Sequence, residues 1–168
     1  MEEVVKTSVE GGTGLITLDN PPVNAAGAAL RAGLVAALDR LAADPAVDVI
    51  AIHGAGRSFI AGADIREFGK PPADPWLPDV CEQLESCGKP VISILHGAAL
   101  GGGLEVALAT HLRVAIAGVQ LGFPEVTLGI LPGAGGTQRA PRLAGVGPAL
   151  DLITTGRRIG AEEARGLG

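Results

Sequence analysis

The run Gly101-Gly-Gly103, set between an apolar segment and a helix-forming one, constrains this chain more than any other feature. Val91–Leu95 is a short continuous apolar run, the pattern of a buried strand. Residues 104–109 have helix-forming composition. Glycine lets backbone come close to another group because no Cβ intervenes. At a helix start, glycines also present N–H groups that have no partner within the helix, with the positive end of the helix dipole behind them. The run therefore serves either close packing of a helix on a sheet or a site for an anion or polarised carbonyl. One turn inside, Glu105 stands alone among Leu104, Val106, Ala107 and Leu108. A carboxylate in that setting is half-buried, and its proton affinity is open to tuning.

The flanking sequence predicts an α/β chain. Residues 4–9 and 14–18 form a hairpin around Gly11-Gly12. Ala28–Ala43 carries Leu30, Leu34, Leu38 and Leu41 on one helical stripe, and Asp44-Pro45 stops it. Strands follow near 47–53 and 58–61, with a bend at Gly62-Ala63-Asp64 and one helical turn over 65–68. Residues 70–78 hold four prolines and predict a loop. Helix 78–86, the central strand and helix, strands 112–117 and 120–122, and a helix start at Pro124-Glu125 come next. A glycine-rich loop over 129–136 precedes helices 136–143, 148–155 and 161–165. The order strand, strand, helix recurs with no sequence repeat, and helices are expected to cover sheet faces.

With 168 residues the chain suffices for one domain with a real core, and residues 1–168 are read as one. No apolar run reaches membrane-spanning length, so no membrane partner is expected. Residues 1–9 carry no apolar leader, and Cys81 and Cys87 read as free thiols, so a cytoplasmic setting is expected. A net charge of −5 and only 2% aromatics argue against nucleic acid. Nucleotide P-loop, dinucleotide-fold and serine-hydrolase fingerprints are missing. His53, His96 and His111 fall at no metal spacing and read as structural; no metal is expected.

Four features offer chemistry, each with a bland alternative. Gly101–Gly103 is an anion site or a packing device. Ala61-Gly-Ala-Asp64 is a donor loop or a plain turn. Glu105 is a proton carrier or half of a buried salt bridge. Glu125 is a proton carrier or a favourable charge in a first helical turn. Jointly they supply two backbone donor sites and two carboxylates with no nucleophile, a set suited to an enolate with proton transfer and water handling.

Ser58-Phe-Ile-Ala-Gly-Ala-Asp-Ile65, His96-Gly-Ala-Ala-Leu-Gly-Gly-Gly-Leu-Glu105, Phe123-Pro-Glu-Val-Thr-Leu-Gly129 and Leu131-Pro-Gly-Ala-Gly-Gly-Thr-Gln-Arg139 together resemble the crotonase superfamily, in its enoyl-CoA hydratase/isomerase group. Pro21-Pro-Val-Asn24 and Leu152-Ile-Thr-Thr-Gly-Arg-Arg158 resemble most the hydratase part of bifunctional enzymes that also carry a 3-hydroxyacyl-CoA dehydrogenase. The resemblance implies a spiral of ββα turns. It implies an oxyanion hole at the N–H groups of Ala63 and Gly102, with Glu105 and Glu125 as the catalytic carboxylates. It places Asn24, Ala61, Gly62, Asp64, Ile65 and Gly101 beside the substrate and its CoA portion. The reaction implied is hydration of 2-enoyl-CoA thioesters in fatty-acid β-oxidation, with isomerisation as a further activity. No cofactor is implied beyond the coenzyme A of the substrate. Other acyl-CoA chemistry (isomerisation, thioester hydrolysis, decarboxylation) and a non-catalytic acyl-CoA-binding module are the alternatives. Family members continue past this length with C-terminal helices, so that helical part is expected to be incomplete here. A homotrimer or hexamer is implied for a stand-alone relative, and a monomer for a dehydrogenase fusion.

Overall fold

The computed structural model describes residues 3–67, 69–71 and 73–168. Met1 and Glu2 of the leader reading, Phe68 of the helical turn and Pro72 of the proline-rich loop lie outside the described residues.

Strands β1 (Val5–Glu10) and β2 (Thr13–Leu18) form the expected antiparallel hairpin, with Gly11 and Gly12 at positive φ in its turn. Helix α1 (Ala28–Ala43) follows with the bounds its leucine spacing predicts, and Leu30, Leu34, Leu38 and Leu41 are buried. β3 (Val49–Gly54) lies parallel to β2 with Ile16 opposite Ile52. Helix α2 (Leu77–Glu85) buries Val80, Cys81 and Leu84. Then come β4 (Val91–Leu95), β5 (Ala98–Leu100), α3 (Gly102–Ala109), β6 (Leu112–Ala115) and β7 (Gln120–Gly122). The chain finishes with α4 (Gly136–Ala144), α5 (Val146–Thr155), β8 (Arg158–Ile159) and α6 (Ala161–Leu167). Short 3₁₀ turns stand at Ile65–Glu67 and Pro124–Leu128.

The strands sort into a five-stranded sheet, β1-β2-β3-β4-β6, and a three-stranded one, β5-β7-β8. β2, β3, β4 and β6 are mutually parallel neighbours, so each connection must cross over, and helices do this. Successive turns give one strand to each sheet. β4 is followed by β5 and β6 by β7, while β3 is followed by residue 60, whose bridge to Ala99 extends the smaller sheet. A helix or helical turn comes after each pair, which is the spiral of ββα turns that the resemblance implies. The short strands β5 and β8 are additions to the sequence reading. At three and two residues they carry no readable alternation.

Between the sheets the backbone crossing is tight. A Cβ on Gly103 would stand 2.0 Å from the Ile60 carbonyl oxygen, which itself accepts the Leu100 N–H at 3.1 Å. Gly97 has φ +59, and a Cβ there would stand 1.8 Å from the Arg57 oxygen. These contacts hold segment 57–60 against the start of α3, with Phe59 and Ile60 wholly buried beneath. On the far side, edge strand β6 leaves Leu112 and Val114 exposed beside an open apolar groove of about 1070 Å³ bounded by α6.

Gly103→Ala is expected to cost at least about 3 kcal/mol, because the clashing partner is backbone rather than a movable side chain. Urea unfolding checks this; a loss below about 0.5 kcal/mol would contradict the crossing as described.

Candidate active site

β5 ends by turning at Gly101, whose φ of +50° and ψ of −125° swing the chain into α3. The Gly101 N–H donates to the Gly122 oxygen at 2.9 Å, and its own oxygen accepts the Glu105 N–H at 3.0 Å. Gly102 is thus the first residue of the helix, and its N–H precedes the helical ladder. A second donor comes from the bend after residue 60. There the Ala61 N–H donates to the Val23 oxygen and the Gly62 oxygen accepts the Ala26 N–H, which fixes both residues to the 23–26 loop. Among the described residues, neither the Ala63 N–H nor the Gly102 N–H donates to a backbone oxygen. The two sites are neighbours: a Cβ on Gly102 would stand 3.6 Å from the Ala63 nitrogen and 2.7 Å from Leu77 Cδ2.

Both residues line a cavity of about 320 Å³. Ala61, Gly62, Ala63, Ile65, Gly101, Gly102, Glu105 and Glu125 all line it. Two other candidates do not. Asn24 is 2% exposed and spends its side chain internally, donating to the Ala55 and Ser58 oxygens and accepting the Asn20 N–H. Asp64 turns instead to a fork with Arg66. The Arg66 hydrogen bonds, working against burial, hold its carboxyl below the usual carboxylate range. Apolar walls from Leu77, Leu128, Ile130 and Leu131 also line the cavity. Of these, Leu128, Ile130 and Leu131 are exposed apolar side chains, and their sequence signal was only an apolar run around a glycine loop.

The two carboxylates differ in how they are held. Glu105, 2% exposed, accepts at Oε1 from the Ala134 N–H at 2.7 Å and the Gly136 N–H at 2.8 Å. It is therefore held by backbone donors at the start of α4, and not by the buried salt bridge offered as its alternative. Burial pushes its pKa up, against the pull of those two N–H groups and of Arg139. Glu125, on the Pro124–Leu128 turn, has a buried Oε2 with no hydrogen-bond partner. A Cβ on Gly101 would stand 2.6 Å from its Oε1. Burial pushes the Glu125 pKa up, and the negative charge of Glu105 adds to that.

The remaining candidates read as structural. His53 Nε2 pairs with Thr17 Oγ1 at 2.8 Å, and His111 Nδ1 accepts the Val91 N–H at 3.0 Å. His96 Nε2 lies 3.2 Å from the Gly56 oxygen. Both cysteines are free, and burial pushes the Cys81 thiol up to about 12.

An orphaned, half-buried carboxylate has a consequence for stability. Raised folded pKa means that the charged form is disfavoured in the fold, so the cost appears as pH rises through that pKa and is absent below the unfolded value, about 4.3. Glu125→Gln is therefore expected to stabilise the protein by about 1 kcal/mol near pH 7.5, with the gain vanishing near pH 4. Urea unfolding at both pH values checks it; a variant less stable than wild type at pH 7.5 contradicts it.

The family described as enoyl-CoA hydratase/isomerase matches residues 8–168. The chain is 51% identical over 166 residues to a peroxisomal bifunctional enzyme of Danio rerio, covering 99% of this chain and 23% of that one. It is 44% identical over 171 residues to a probable enoyl-CoA hydratase of Bacillus subtilis, covering 98% of this chain and 66% of the relative. Among solved structures, an enoyl-CoA hydratase from Bacillus anthracis superposes with a TM-score of 0.91 at 37% identity, over 98% of this chain and 67% of that one. The chain thus spans about a quarter of the bifunctional relative and about two thirds of the bacterial ones.

Proposed function

This chain belongs to the enoyl-CoA hydratase/isomerase family, and on that footing we propose that it hydrates 2-enoyl-CoA thioesters to 3-hydroxyacyl-CoA in fatty-acid β-oxidation. The observation that carries the reading is one cavity with two neighbouring unengaged N–H groups and two carboxylates of different anchorage. Water addition to the conjugated double bond builds negative charge on the thioester oxygen. The Ala63 and Gly102 N–H groups would receive that oxygen, where preorganised donors are each worth a few kcal/mol.

Glu105 takes the proton of the water that adds at Cβ. Its Oε1 is occupied by two donors, and no hydrogen bond among the described residues uses its Oε2, so one oxygen is fixed and the other remains for water. Glu125 delivers a proton to Cα; a carboxyl with raised proton affinity suits a proton donor near neutral pH. Glu105 is held by two backbone N–H groups while Glu125 has an unanswered Oε2, and this unequal anchorage suits a division of base and acid roles between two like groups. The reaction needs no cofactor beyond these side chains, because coenzyme A arrives with the substrate.

Double-bond isomerisation requires one group to move a proton between carbons, and Glu125 alone suffices for it. We propose it as a secondary activity. For association, the exposed Leu112 and Val114 and the apolar groove beside α6 need cover. We propose a homotrimer or dimer of trimers where no dehydrogenase shares the polypeptide, and a monomer where one does. A cytoplasmic setting stays a proposal, beside a Danio rerio relative named for the peroxisome.

Glu105→Gln and Glu125→Gln are each expected to lower kcat for crotonyl-CoA hydration by about 10²-fold or more. Turnover within a few-fold of wild type in either would remove that residue's role. Gly102→Val should abolish hydration, since its side chain meets Leu77 and crowds the donor pair. A folded and fully active Gly102→Val would reduce the glycine run to a packing device.

A further inference from the structure

We propose that Arg139 is a positioning residue that holds the 133–136 loop, and with it two backbone N–H donors, on Glu105. The inference rests on the hydratase reading above, in which Glu105 works as a base.

Arg139 reaches two elements at once from α4. Its Nη1 donates to the Ala134 oxygen at 3.0 Å, and its Nη2 donates to Glu85 Oε2 on α2 at 2.6 Å. Ala134 is the residue whose N–H donates to Glu105 Oε1. Two residues on, Gly136 supplies the second donor. The guanidinium therefore clamps the loop whose backbone orients the carboxylate. The room for it is tight: a Cβ on Gly135, which has φ +98, would stand 2.2 Å from Arg139 Nη1. The Arg139 side chain is 12% exposed and Glu85 is 60% exposed, so the clamp is anchored at the surface and works inside. Its Nε is buried and has no hydrogen-bond partner among the described residues.

Charge points the same way. The titratable groups around Glu105 are Arg139 from α4, and Glu125 from the 3₁₀ turn and Cys81 from α2, whose pKa values its charge raises, with Glu85 paired to Arg139. Cys81, pushed up to about 12, stays neutral. Arg139 is the cation that favours ionisation of Glu105. Burial works against the charged form of Glu105, and the two N–H groups and Arg139 work for it.

The test uses the full-length protein and follows the ¹³Cδ signal of Glu105, identified by its loss in Glu105→Gln, alongside the pH profile of kcat on crotonyl-CoA. Arg139→Gln should raise the Glu105 midpoint by about one pH unit or more and move the acid limb of kcat upward with it. Glu85→Gln, a change at an exposed side chain, removes the surface anchor of Arg139 and should move the midpoint the same way by a smaller amount. Arg139→Lys should restore the acid limb but not the full kcat, because one ammonium lacks the fork that spans Ala134 and Glu85. Upward shifts in both Gln variants support the proposal; an unchanged midpoint in Arg139→Gln, or a downward shift in either, overturns it. Should Arg139→Gln not fold, Glu85→Gln decides alone, with an upward shift supporting and any other result overturning. Upward midpoint shifts without crotonyl-CoA turnover in wild type would keep the clamp and sink the hydratase reading.

Discussion

Backbone laid on backbone at Gly103 is the contact on which the rest of the site depends. The Ile60 carbonyl occupies the space of a Cβ there, and the same oxygen bonds the Leu100 N–H. That one crossing brings the bend at Ala63 to the start of α3, so that two N–H groups from distant stretches become neighbours. A side chain at Gly103 would separate them, and one at Gly97 would lift segment 57–60 off the second sheet. The consecutive glycines thus do different jobs: Gly101 turns the chain and leaves room for the Glu125 carboxylate, Gly102 presents an N–H, and Gly103 permits the approach.

Around that crossing the cavity sets two carboxylates in unequal surroundings. Glu105 is buried deeply but is answered by two N–H groups at a helix start, where the dipole favours negative charge. Glu125 is less buried and is answered by almost nothing at Oε2. Burying an unanswered charge is destabilising, and such a cost at a cavity is the usual mark of a group kept for chemistry rather than for packing. The asymmetry matches the division of roles proposed, one group accepting a proton from water and the other giving one to carbon.

Much of this was legible before the structure. The leucine spacing of α1, the strand Val91–Leu95 and the strand Gln120–Gly122 were readable with their observed bounds, because each has a strong period or sharp flanking punctuation. Strands β5 and β8 were not, since two or three residues hold no period, and their pairing is decided by residues far along the chain. Both glutamates stand out as lone charges in apolar surroundings. Their partners do not: nothing local links Glu105 to the N–H groups of Ala134 and Gly136, or Arg139 to Glu85, because those contacts close loops of 29, 31 and 54 residues. Asn24 stands in a recognisable motif, and what the motif does not show is the use of its amide, which fastens the 20–25 loop to the 55–58 loop.

The central claim is that the thioester oxygen sits between the Ala63 and Gly102 N–H groups and is polarised there. An isotope-edited infrared difference spectrum of an enoyl-CoA carrying ¹³C at the thioester carbonyl tests it without relying on turnover. The account predicts a carbonyl band shifted to lower frequency when bound to the full-length protein, with the shift lost in Gly102→Val that still binds ligand. A bound thioester whose carbonyl band stays at its solution position would contradict it.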